Sequence, residues 1–124
     1  MANILVADDM TEILLIYEQT LMAAGHTVVT AKNGLEATKH LTTRDFDLVV
    51  TDIYMPKSDG MEVATYAHSL SNRPALLAIT GGSKRLSSQE TICMGEAFFD
   101  ESLIKPVSQD VLLSTVNTLL SKRH

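Results

Sequence analysis

The stretch Asp47-Leu48-Val49-Val50-Thr51-Asp52 decides the fold. Leu48, Val49 and Val50 are apolar on consecutive positions, and Val49, Val50 and Thr51 are β-branched, which suits a strand. A strand with one wet face alternates polar and apolar residues; one that does not is covered on both faces, as in a parallel sheet between helix layers. Working outward, the same signature recurs at Ile4-Leu5-Val6-Ala7 and Thr27-Val28-Val29-Thr30-Ala31, then at Ala75-Leu76-Leu77-Ala78-Ile79 and Ser102-Leu103-Ile104. Helical patterns fill the gaps. Residues 11–24 carry Ile13, Ile16, Tyr17 and Leu21 near helical spacing, with Gly25 closing the run. Asn33-Gly34 opens a second helix ending near Thr43, and Glu36 stands at capping-box spacing. A third helix is expected over about 61–70 and a weaker one over 87–95. The last begins at Ser108 as N-cap and carries Val111, Leu112, Val116 and Leu119 on one side. The chain therefore reads as one α/β domain, residues 1–124, built from five βα units.

Right-handed crossovers put the carboxyl ends of all parallel strands on one edge, and open sheets of this kind bind ligands there. The residues that follow the strands are then informative: Asp8-Asp9 after the first, Asp52 after the third, Thr80 after the fourth and Lys105 after the fifth. Two carboxylates 4 Å apart repel by about 4 kcal/mol at an effective dielectric near 20, so a cluster of them calls for a compensating cation. Mg²⁺ suits all-oxygen ligands, and histidine and cysteine, the zinc ligands, are missing from the strand ends. Beside such an ion a carboxylate acts as a nucleophile toward phosphorus. The protein's remaining task is to position and neutralise the phosphoryl oxygens. Lys105 offers a point charge, Thr80 a hydroxyl donor, and Asp52, at the centre, is the acceptor.

Composition sets the bounds. The chain has 124 residues, 45% apolar and 20% charged, which is enough apolar surface for a core and argues against disorder. Its net charge of −5 and pI near 5.2, with scattered lysines and arginines, argue against a nucleic-acid surface. One cysteine, Cys93, excludes an internal disulfide framework and is read as a small apolar residue. No apolar run approaches membrane length and no secretory signal leads the chain, so a reducing cytoplasm is the expected location. His26, His40, His68 and His124 are too dispersed to suggest a metal site, and the six methionines read as core filler.

Asp8-Asp9, Asp52 in Thr-Asp-Ile-Tyr-Met-Pro, the Asp59-Gly60 turn, Thr80-Gly81 and Lys105-Pro106, in that order along essentially the whole chain, resemble the response-regulator receiver family of two-component signalling. The resemblance implies a flavodoxin-like, CheY-like three-layer sandwich with a five-stranded parallel sheet in the order 2-1-3-4-5 and five helices. It implies that Asp9 and Asp52 bind Mg²⁺ directly, Asp8 mostly through water, and the Tyr54 carbonyl as a further ligand. Asp52 would take a phosphoryl group from a phosphohistidine on a histidine kinase or histidine phosphotransfer protein, and Thr80 and Lys105 would read it. Such a domain catalyses only its own phosphorylation and dephosphorylation and is not otherwise an enzyme. Its output goes to a target protein docking on the face of the fourth and fifth helices, with the domain a monomer or a phosphorylation-dependent dimer. The start at Met1 favours a free-standing receiver over one excised from a larger regulator or hybrid kinase.

Some positions depart from the family pattern. Ser102 stands where receivers commonly carry Tyr or Phe, three residues before the lysine. The segment 81–99 is longer than usual and opens with Gly81-Gly82, and Tyr54 is bulky at two residues past the acceptor. The signal is therefore expected to be read through rearrangement of residues 81–95 instead of an aromatic flip. Three other functions compete. A haloacid-dehalogenase-type phosphatase would need an acid where Tyr54 stands. An FMN binder would need hydroxyls where Asp8-Asp9 repel phosphate, and a pseudo-receiver would have lost an acid, the threonine or the lysine. Taken singly, Asp8-Asp9 would be a helix-start signal, Thr80 a turn residue and Lys105 a solvated charge; their joint placement is what argues for a site.

Overall fold

The computed structural model describes residues 2–53, 60–80 and 99–122. Its strands are β1 (Asn3–Ala7), β2 (Thr27–Ala31), β3 (Leu48–Asp52), β4 (Ala75–Thr80) and β5 (Glu101–Ile104). Its helices, among the described residues, are α1 (Thr11–Ala23), α2 (Gly34–Thr43), α3 (Gly60–His68) and α4 (Gln109–Lys122). The helix expected over 87–95 lies outside the described residues, as does Tyr54. The sheet order is β2-β1-β3-β4-β5 and every pairing is parallel, as the resemblance implied.

The consecutive apolar residues of the strands are divided by the two-residue period of the pleat. Ile4, Val6, Leu48, Val50, Leu77 and Ile79 pack with Leu14, Tyr17 and Leu21 of α1 and Leu112, Val116 and Leu119 of α4. Leu5, Ala7, Val49, Leu76 and Ala78 pack with Ala37 and Leu41 of α2, Val63, Ala64 and Ala67 of α3, and Phe46, Ile53 and Phe99. The sheet is thus covered on both sides, and β3, at its centre, is buried at all five positions. Each fully buried aliphatic side chain contributes about 1.5–3 kcal/mol.

Local chemistry sets the ends of the elements. α1 closes on Gly25 (φ +96°), whose N–H donates to the Met22 carbonyl while His26 N–H donates to that of Leu21. This crossed pair satisfies the last carbonyls, and the left-handed residue it requires is cheapest as glycine. Asn33 Oδ1 accepts from Glu36 N–H at 2.9 Å and so caps α2 as expected. The Glu36 carboxylate reaches back one residue further than a capping box, to Lys32 N–H at 3.0 Å. Ser108 Oγ accepts from Val111 N–H at 3.1 Å, confirming it at the start of α4.

Two stripe residues differ from expectation. Ile16 is 49% exposed and Val111 47% exposed. In α1 the buried set is Leu14, Tyr17, Thr20 and Leu21. The helix is apolar nearly all round, so periodicity leaves its rotation undetermined, and contact with β1 selects the 14-17-21 row. In α4 the row 112-116-119 faces the sheet, and Val111 lies one residue off it.

Candidate functional site

The parallel register brings the strand ends into line. Ala7 is level with Thr51, so Asp8, the next residue, stands beside Asp52, the last residue of β3. Asp52 is level with Ile79 and Thr80 with Ile104, which puts Thr80 and Lys105 at the same edge one strand further on. The Lys105 N–H donates to the Thr80 carbonyl at 2.8 Å, extending the ladder by one residue. On the other side, Asp8 N–H donates to the Ala31 carbonyl at 3.1 Å and fixes the backbone from which its carboxylate projects.

Lys105 Nζ lies 2.8 Å from Asp8 Oδ2 and 3.0 Å from Asp52 Oδ2, so one ammonium bridges two acids. Asp8 is 1% exposed and Asp52 8%. Burial alone would lower the Lys105 pKa. The hydrogen bond to Asp8 and the charge of Asp52 outweigh it and leave the ammonium above its ordinary range, firmly charged. Lys105 is therefore no solvated surface charge. Nor is Asp8 a helix cap: its Oδ1 accepts from Met10 N–H at 2.9 Å, outside α1, and the N-cap of α1 is Met10 without a side-chain bond.

Asp9 is exposed, yet Asp8, Asp9 and Asp52 each present a carboxylate oxygen within 4.8 Å of the others. Among the described residues this is the one such group of acids, histidines or cysteines. Its donors are all oxygens, two recessed and one open to solvent. That set fits a hard divalent cation retaining several waters, and offers nothing that zinc would prefer. Thr80 is 1% exposed at the end of β4, and the Thr51 hydroxyl donates to the Asp52 carbonyl at 2.9 Å, fixing the backbone that carries the central acid.

Five of the six residues expected at the site thus stand at one sheet edge: Asp8, Asp9, Asp52, Thr80 and Lys105. Tyr54 lies outside the described residues. Two participants were not foreseen. The Met10 amide, which occupies one oxygen of Asp8, has no signature in residue type. Tyr17, expected only as core, has its ring in the core but also lines a groove with Lys105; a polar-tipped residue on an otherwise apolar stripe was the available signal. Ser102 is half-buried opposite Ala78, and Phe99 is buried on the α2–α3 side of the sheet, among Phe46, Ile53 and Val63.

Comparison with known proteins agrees with this geometry. A family model for the response regulator receiver domain matches residues 4–117. The transcriptional regulatory protein PrrA of Mycobacterium tuberculosis is 33% identical over 121 residues, 98% of this chain and 51% of PrrA. The chain spans about half the length of the first curated relatives it matches. Among solved structures, the chemotaxis protein CheY4 of Vibrio cholerae superposes with a TM-score of 0.86 at 29% identity, covering 96% of this chain and 98% of CheY4. The response regulator TrrA of Thermotoga maritima, in complex with Mg(2+)-BeF, gives a TM-score of 0.83 at 30% identity, covering 96% of this chain and 99% of TrrA.

Proposed function

The chain belongs to the response-regulator receiver family of two-component systems, and from that premise we propose that Asp52 accepts a phosphoryl group from a phosphohistidine donor in a Mg²⁺-dependent reaction. One observation carries this reading: a nearly buried aspartate at the centre of the sheet edge, bridged through Lys105 to Asp8 and completed as an oxygen cluster by Asp9. The crystallisation of TrrA with Mg(2+)-BeF supports the choice of metal and of phosphoryl chemistry.

In this reading an Asp52 carboxylate oxygen forms the new P–O bond as the P–N bond of the donor breaks, and the electron pair leaves with the imidazole. Asp8, Asp9 and Asp52 hold the Mg²⁺, which when bound offsets charge on the phosphoryl oxygens. Lys105, firmly protonated, neutralises a phosphoryl oxygen without taking part in proton transfer. Thr80 donates its hydroxyl to another. The product is an altered surface read by a target protein, so turnover of external substrate is not its role; a histidine kinase or histidine phosphotransfer protein supplies the group.

Intact mass after incubation with Mg²⁺ and acetyl phosphate tests this directly. The expected result is a single phosphoryl adduct on the wild type, none on Asp52→Asn, and none when EDTA removes the metal. An adduct that persists in Asp52→Asn would reject Asp52 as the acceptor.

A further inference from the structure

The amino-terminal edge of the sheet, opposite the acid cluster, carries the same reciprocal contact twice. Asp100 N–H donates to the Leu76 carbonyl at 2.8 Å, and Leu76 N–H donates to Asp100 Oδ2 at 2.7 Å. Asp47 N–H donates to the Asn3 carbonyl at 2.8 Å, and Asn3 N–H donates to Asp47 Oδ2 at 2.8 Å. Each aspartate stands one residue before its strand, Asp100 before β5 and Asp47 before β3. Each grips the neighbouring strand with its backbone and its side chain together.

The two contacts differ in what else holds the strand. β3 is buried at all five positions, and in β1 Ile4, Leu5, Val6 and Ala7 are buried too, so a slip of one residue would exchange two packed faces. Asp47 is also held from its other side, where Ala75 N–H donates to its carbonyl at 3.0 Å. β5 has no such security. It is an edge strand of four residues, with Glu101 exposed, Ser102 and Leu103 half-buried and Ile104 47% exposed. Buried Phe99 holds the chain against the sheet just before it. Apolar burial is non-directional, however, and does not fix position along β4. The paired bonds of Asp100 do.

We propose that Asp100 is a positioning residue for the site at the far end of β5: its bonds to Leu76 set the register of β5 on β4 and so hold Lys105 within reach of Asp8 and Asp52. Lys105 directly follows β5, and its N–H meets the Thr80 carbonyl at 2.8 Å in the register that pairs Ile104 with Thr80. Its ammonium bonds two acids at once, at 2.8 and 3.0 Å, which leaves little tolerance for displacement. A shift of about 1 Å in a group that meets the reacting atoms can cost a hundredfold in rate. The inference rests on the role given above to Lys105 and extends it to a residue at the opposite edge of the sheet.

Two measurements made well below the melting temperature test it: the rate of phosphoryl adduct formation from acetyl phosphate with Mg²⁺, and hydrogen exchange at the Lys105 amide. Asp100 also lines a groove of about 240 Å³ with Arg73 and Lys122, so the variants must separate its reach from its charge. Asp100→Ala loses the Leu76 amide and Asp100→Glu overshoots it. Both should slow adduct formation about tenfold and speed exchange at Lys105. Asp100→Asn keeps an acceptor at the same reach and should recover most of both. Asp47→Ala removes the same contact from a strand fixed by burial and should leave the adduct rate unchanged, whatever it does to the melting temperature. In a Lys105→Met background, Asp100→Ala should slow the reaction no further. An Asp100→Ala protein as fast as wild type overturns the inference, and so does an Asp47→Ala protein slowed as much as Asp100→Ala. If wild type takes up no phosphoryl group, the reading of Asp52 fails and exchange alone decides this one. Faster exchange at Lys105 in Asp100→Ala then supports the anchor, and unchanged exchange overturns it.

Discussion

With Lys105 removed, Asp8 and Asp52 would keep two negative charges side by side, almost out of water, at the end of the sheet. Breaking one side of such a buried ion pair costs about 3 kcal/mol, and here a single ammonium serves two acids. Lys105→Met is therefore expected to lower the urea midpoint clearly in metal-free buffer, with Mg²⁺ restoring most of the loss. A variant as stable as wild type without metal would mean that the bridge carries no structural weight. Thr20 supplies the opposite case. Its hydroxyl is buried on α1 with no partner among the described residues, and replacing such a group with an apolar one of the same shape is neutral or favourable. Thr20→Val should raise stability by about 1 kcal/mol, seen as a higher melting temperature; a lower one would reveal a hidden partner for the hydroxyl. At this scale the sequence was readable wherever residue type carries the chemistry: Asp8, Asp9, Asp52, Thr80 and Lys105 are recognisable because acids, a hydroxyl and a cation are rare where apolar strands end. Which oxygen of Asp8 is taken, and that Asp9 alone of the three acids is exposed, are consequences of side-chain placement. No letter in the chain records them.

Elements were legible in proportion to the contrast between their faces. The strands announced themselves by β-branched runs, and α2 and α4 by caps whose bonds the structure contains. α1 gave an ambiguous stripe because Ile13, Leu14, Leu15 and Ile16 are all apolar, so only the sheet beneath decides which of them is buried. The junction of α1 with β2 also holds a titrating contact. His26 Nδ1 accepts from the Ala2 N–H at 3.2 Å, and Thr27 N–H donates to the Ala2 carbonyl at 2.9 Å, tying the start of β1 to β2. Burial, joined by the positive amino terminus, lowers the His26 pKa below its ordinary 6.5. The folded state then binds this proton less readily than the unfolded state, so acid favours unfolding. The contribution of His26 is complete above the unfolded value of about 6.5 and is lost as pH falls from there through the folded value. Protonation also removes the acceptor that Ala2 uses. Urea midpoints measured from neutral pH down to about pH 5, above the range where most carboxylates titrate, should decline in wild type and be flatter in His26→Gln. Parallel slopes in the two proteins would assign the loss to other groups.

At the scale of the whole molecule, parallel pairing followed from strands apolar on consecutive positions, because only a sheet covered on both faces buries them. The order 2-1-3-4-5 did not follow from any residue. The local signals are the same for other doubly wound orders, and only resemblance to a family of known topology selected this one. The order matters because β1 and β3 are neighbours at the centre, so their terminal acids meet without any segment dedicated to bringing them together. The acid cluster is thus a property of the folded topology: Asp8 and Asp52 are far apart in sequence, and an unfolded chain does not assemble them. A cation that binds the cluster binds the native state alone and must stabilise the molecule globally, by about 2.7 kcal/mol at a hundredfold excess over its dissociation constant. For a domain of this size that corresponds to a melting temperature raised by roughly 10 °C. Asp9→Ala should abolish the Mg²⁺-dependent rise while leaving metal-free stability nearly intact, since Asp9 is exposed. Asp45→Ala, at an exposed acid outside the cluster, should leave the rise unchanged. If Asp45→Ala reduced it as much as Asp9→Ala, Mg²⁺ would be screening the net charge of −5 instead of occupying a site, and the geometry at the sheet edge would have to be explained without a metal.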